Sequence, residues 1–138
     1  MTKEIGIGDF AFTQMSHLLA RLALQVHRAA KKPGADEVHD LRVSIRRFSQ
    51  GLDLFADFFP RAEAAGIRKK LKALMRLTSS IRDRDITLEF VAGTKHASHR
   101  PRLSKERASY QKELAALLRQ WTAEEFSTHW RDGLSLRA

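Results

Sequence analysis

Val38, Leu41, Ile45, Phe48, Leu52 and Phe55 follow one another at spacings of 3, 4, 3, 4 and 3 residues. At about 100° per residue that spacing gathers six apolar side chains along one side of an α-helix, whereas a strand, with its period of two, would scatter them over both faces. A helix with one apolar flank has to cover it, so the rest of the chain must supply partners of the same kind.

It does. Met15, Leu18, Leu19, Leu22 and Val26 repeat the pattern in a first helix, which Asp9 is placed to cap. Lys31 and Lys32, just ahead of Pro33-Gly34, suit its C-terminus. Pro60 marks the end of the second helix. A third runs from about Arg61 through Ile67, Leu71, Leu74, Thr78 and Ile81 and leads, past Arg82-Asp83-Arg84-Asp85, into a short helical stretch from Ile86 to Val91. The sequence leaves open whether the chain bends at Ser79-Ser80. Gly93 to Pro101 reads as a polar connector. A last helix covers about Leu103 to Trp121, with Tyr110, Leu114, Leu117 and Leu118 inward, and Phe126 and Trp130 behind it dock on the bundle or on a partner. The expectation is an all-α antiparallel four-helix bundle with long amphipathic helices. It forms a single domain over residues 1–138, with a core over 9–120 and a C-terminal tail over 121–138.

The chain has no cysteine, which excludes disulfides, thiolate metal sites and a cysteine nucleophile. No stretch reaches the roughly 18 apolar residues of a membrane span. The first ten residues lack a continuous apolar run, so no secretory signal is expected and the cytoplasm is the default location. Phosphate-loop, dinucleotide and nucleophile-elbow motifs are all missing. Neither an enzyme nor a cofactor is expected.

Lys and Arg total 25 against 16 acids, a net charge of +9. That is near the upper end of what solubility alone accounts for, and it favours an anionic partner. The distribution sharpens the point. On the second helix His39, Arg42 and Arg46 fall within about 60° of one another, beside the apolar seam, with Arg47 further round. Lys69, Lys72 and Arg76 form a second stripe at i, i+3 and i+7, and Arg21 and Arg28 stand two turns apart on the first helix. Like charges in a row repel, so each stripe calls for an acid from a neighbouring helix or an anionic ligand. Arginine forks grip phosphate oxygens in pairs while lysine contributes a mobile point charge. Any one of these residues alone is most simply a solvated charge. For His39 a satisfied half-buried histidine is as good a reading as a ligand contact.

Asp83 and Asp85 could hold a metal or act as acid and base. The alternating signs of Arg82-Asp83-Arg84-Asp85 more often mark an ion-pair knot, here one that would clamp Arg42, Arg46 or Arg76. His96 and His99 lack a third ligand at zinc spacing, so no metal site is expected.

Val38-His39-Asp40-Leu41-Arg42-Val43 with Arg46-Arg47 resembles the V-H-x-L-R-V-x-x-R-R signature of the CHAD family, the conserved histidine α-helical domains. Leu71-Lys72, Arg76 and then Arg82-Asp83-x-Asp85-Ile86 resemble that family's basic helix and its R-D-x-D-[VI] element. The resemblance implies a non-catalytic helical domain that binds inorganic polyphosphate through a basic surface and associates with polyphosphate granules. Carried over by motif position, His39, Arg42, Arg46, Arg47, Lys72, Arg76 and Arg82 become ligand contacts; Arg47 and Arg82 rest mainly on the family. Members usually carry two related bundles and this chain matches the first, which makes a homodimer that rebuilds the two-bundle body the expectation. Nucleic acid is the alternative partner, since charge serves it equally well, although no aromatic side chains interleave the basic stripes to stack on bases. An accessory role beside a phosphate-transfer enzyme is a third reading.

Overall fold

A computed structural model describes residues 2–136, with side chains from residue 6 onward; residues 1, 137 and 138 of the expected domain lie outside the described residues. The elements in order are α1 (Thr2–Lys31), α2 (Ala35–Leu54), a 3-10 turn (Ala56–Phe58), α3 (Arg61–Val91), a second 3-10 turn (Ala97–His99), α4 (Arg100–Ala123) and α5 (Phe126–Gly133). No strand occurs among the described residues. α1 packs on α2 and α4, and α3 on the same two, so the four long helices close a ring. Cross-links fix their directions. Phe10 near the start of α1 meets Phe55 just past the end of α2, Asp53 at the end of α2 pairs with Arg68 early in α3 while Arg42 reaches Met75 to Ser79 in its middle, and Arg84 in α3 pairs with Glu106 early in α4. Each neighbouring pair is therefore antiparallel, as short connections favour.

The seam of α2 is the heart of the core. Val38, Leu41, Ile45, Phe48 and Leu52 are buried and Phe55 is half-buried. They meet Met15, Leu19, Leu22 and Val26 of α1, Leu71, Leu74 and Ile81 of α3, and Leu114 and Leu118 of α4. Burying a side chain of this size stabilises the fold by roughly 1.5–3 kcal/mol. Gly51 sets the approach of α1 to α2, because a Cβ there would run into Met15 Sδ and come within 3.1 Å of Leu18 Cδ1.

Three expectations change, and one point left open is decided. α1 begins at Thr2 rather than being capped by Asp9, which lies exposed inside it. Gly6 and Gly8 each cost a helix only about 1 kcal/mol, and Phe10 and Phe12 packing on Phe55 and Phe59 offsets it. α2 ends at Leu54, well before Pro60, where the chain turns so that Phe59 can enter the core. α3 is one helix of 31 residues. It continues unbroken through Ser79-Ser80, whose hydroxyls bond back to the carbonyls of Met75 and Arg76. Finally, α4 starts at Arg100, with Pro101 in its first turn where a missing N–H costs nothing.

Phe126 and Trp130 dock on the bundle itself. Trp130 stacks on Phe48 at 5.9 Å, and Trp121, Phe126 and Trp130 lie mutually 5.0 to 5.4 Å apart, so the core extends to Leu134 and Leu136. At the opposite end α3 and α4 outreach the α1–α2 turn, where Gln111 Nε2 donates to Pro33 O at 2.7 Å. Phe90, 82% exposed, stands on that projecting part.

Candidate functional site

α2 is flanked by two grooves, and its cations divide between them. On a helical wheel His39 sits on the outer crest, Arg42 lies about 60° round towards α3, and Arg47 lies about 80° round towards α1. Arg46 shares the α3 flank with Arg42. The single stripe read from the sequence thus serves two grooves.

The α1–α2 groove, ≈ 580 Å³, is lined by Arg21 and Arg28 from α1 and by His39 and Arg47 from α2, with Asp40 as its acid. The four basic side chains are exposed, and none has a hydrogen-bond or ion-pair partner among the described residues. The half-buried, satisfied histidine is therefore not what the structure contains; position 39 points outward because Val38 and Leu41 take the inward directions. The floor holds a residue that the cationic pattern did not single out. Gln25 is 9% exposed, and its Oε1 is buried without any donor. An unpaired buried acceptor costs about 1–3 kcal/mol. A signal was present: Gln25 stands seven residues after Leu18, a polar side chain at a position of the apolar seam.

The α2–α3 groove is lined by Arg46 from α2 and by Lys69 and Lys72 from α3, over a floor of Ile45, Leu71 and Met75. Arg68 also lines it but is occupied: its Nε donates to Asp53 Oδ1 at 3.0 Å and its Nη2 to Leu52 O at 3.1 Å. Arg76, exposed one turn beyond Lys72, falls outside the groove lining.

Arg42 is half-buried at the head of this groove. Its Nη1 donates to Met75 O at 3.2 Å, Thr78 Oγ1 at 3.0 Å and Ser79 Oγ at 2.8 Å. Burial, and then the neighbouring guanidiniums of Arg46 and Arg82, pull its pKa below the ordinary arginine value, while Asp83 opposes them. It remains a cation, since guanidinium does not deprotonate in proteins. Three guanidiniums therefore crowd together against one nearby acid, and an added anion would relieve the repulsion.

The ion-pair knot is present with other partners than expected. Asp85 takes both ends of the Arg107 guanidinium, with Nη2 to Oδ2 at 3.3 Å, and Arg84 pairs with Glu106 at 3.3 Å while lying 4.9 Å over the Tyr110 ring. The knot joins α3 to α4, and Arg42, Arg46 and Arg76 have no acidic ion-pair partner among the described residues. The reason is helical phase: Asp85 stands fourteen residues, about four turns, beyond Leu71 and so shares its inward face rather than the α2 flank. His96 and His99 lie 6.2 Å apart in the exposed connector, and no group of three His, Cys, Asp or Glu among the described residues is placed to hold a metal. No helix of the described residues is long and apolar enough to cross a membrane.

The sequence model of the CHAD domain matches residues 13–137, nearly the whole chain. No curated protein and no solved structure matches it.

Proposed function

The chain belongs to the CHAD domain family, and from that premise we propose that it is a non-catalytic module that binds inorganic polyphosphate. The ligand lies along the outer crest of α2, reaching Arg21 and Arg28 on one flank and Lys69, Lys72 and Arg76 on the other. The observation that carries this reading is the placing of exposed cations along both flanks of α2, Arg21, Arg28, His39 and Arg47 in one groove and Arg46, Lys69 and Lys72 in the other. A fold gains nothing from that arrangement on its own; a chain of phosphates supplies the missing negative charge at regular intervals. Arg46 and Lys72 face each other across a groove with an apolar floor, so the chain is gripped by its charge rather than read by its shape.

Cytoplasmic polyphosphate granules are the proposed location. A homodimer is the proposed assembly, for which the exposed Ile86 and Phe90 supply an apolar contact. A clean monomer in sedimentation at roughly tens of micromolar speaks against it.

The test is binding of labelled long-chain polyphosphate at two salt concentrations, with DNA and RNA as competitors. Wild type is compared with an Arg46→Ala/Lys72→Ala variant, since these exposed groups have no bonding partner among the described residues. Tight, salt-sensitive binding that the variant loses supports the proposal. Nucleic acid displacing polyphosphate at equal phosphate concentration would shift the function to nucleic-acid binding.

A further inference from the structure

The two grooves beside α2 differ in one respect that charge does not capture. Below the cations of the α2–α3 groove lie Ile45, Leu71 and Met75. Below those of the α1–α2 groove lies a side-chain amide. Gln25 is more than nine-tenths buried, and its Oε1 meets neither a donor nor solvent. Its Nε2 has no partner among the described residues either. Of its two ends only Oε1 is enclosed, so the donor Nε2 is the end that can serve an anion in the groove. Arg21 and Arg28, four residues before and three after, flank it on the same helix, and His39 and Arg47 face it from α2.

We infer that the α1–α2 groove is a discrete phosphate seat, with Gln25 as the residue that binds at depth. This rests on the phosphate-binding reading above and assigns it a specific place. The rim guanidiniums draw in an oxyanion and hold its outer oxygens in forked contacts. Gln25 Nε2 donates to an oxygen that has entered the groove, which gives that nitrogen the acceptor it lacks among the described residues. The seat suits a short run of phosphates, and its volume falls in the range of small-molecule sites. The α2–α3 groove, with Ile45, Leu71 and Met75 beneath its cations, only tracks charge. Short oligophosphates therefore occupy the α1–α2 groove first, and long chains engage both.

The experiment is a titration of the ¹⁵N-labelled full chain with sodium tripolyphosphate. The side-chain amide pair of Gln25 is assigned by its loss in Gln25→Met. The pair is expected to shift saturably. Gln25→Met is expected to bind tripolyphosphate about tenfold more weakly. Its thermal midpoint should equal or exceed that of wild type, because the substitution removes an unpaired buried polar group. A residue that merely supports the fold would not couple weaker binding to equal or greater stability. If the pair stays still while other resonances move, or if Gln25→Met binds as wild type does, the seat is wrong. Should the variant not fold, the wild-type titration decides alone. Long-chain polyphosphate binding with a silent Gln25 overturns the seat but not the proposed function. A shifting Gln25 without long-chain binding does the reverse.

Discussion

Arg42 on α2 and Ser79 on α3 are joined by a 2.8 Å hydrogen bond from Nη1 to Oγ, and the same nitrogen reaches Thr78 Oγ1 and the Met75 carbonyl. A residue that the family motif offers as a ligand contact is thus also a brace between two helices. Met75 O accepts the Thr78 and Ser79 hydroxyls as well, so one short length of α3 concentrates its polar groups where Arg42 arrives.

Replacing Arg42 with Ala should therefore lower stability as well as weaken polyanion binding. The loss is expected to be about 1–2 kcal/mol, as for a hydrogen-bonded charged group that is only half-buried. Urea denaturation measures it. Arg42→Lys should recover little, since one ammonium cannot reproduce the fork's reach to three acceptors. A variant as stable as wild type would show the brace to be idle.

Arg82→Ala should behave in the opposite way. Its guanidinium is exposed and adds to the repulsion on Arg42, so its removal should leave the thermal midpoint unchanged or slightly raised. Polyphosphate should then stabilise the variant less than it stabilises wild type. Thermal shift with and without ligand reads both quantities, and equal ligand stabilisation of the two proteins would remove Arg82 from the site.

Asp85→Asn should cost about 2 kcal/mol, because it leaves the largely buried Arg107, with 16% of its side chain exposed, without its partner. Polyphosphate affinity should stay within about twofold of wild type. Chemical denaturation and the binding assay together decide this, and strongly reduced affinity at unchanged stability would revive a ligand or metal role for the aspartate.

Trp130→Ala should cost about 3–5 kcal/mol, because the ring is buried between Phe48, Trp121 and Phe126 and leaves a large cavity. The near-ultraviolet circular dichroism of the aromatic cluster and a urea titration report the effect. A small loss would mean that α5 is dispensable for the bundle.

Gly51→Val should destabilise by about 1–3 kcal/mol, through contact with Met15 and Leu18 where α1 and α2 come closest. Met15 is flexible enough for Ala to be tolerated better than Val. Denaturation midpoints of the two variants test the order.

The sequence by itself determined the helices, their buried faces and the surplus of cations on α2. Helical phase is a local property, fixed at about 100° per residue, so Val38, Leu41, Ile45, Phe48 and Leu52 had to share one side, with His39, Arg42 and Arg46 in a stripe beside it. The family motif was likewise legible, because it is written in contiguous residues. Only the tertiary structure decided which neighbour each side chain meets. It turned Arg42 inward to Thr78 and Ser79, and it sent His39 and Arg47 to one groove and Arg46 to the other. It gave Asp85 to Arg107 and left Gln25 without a partner. Those outcomes depend on how far each helix is rotated and shifted against the next, which the ridges of the whole core set together. No window of sequence contains that information. Gln25 shows the boundary: its polarity at a seam position is visible in the sequence, but its isolation exists only once α2 has closed over it.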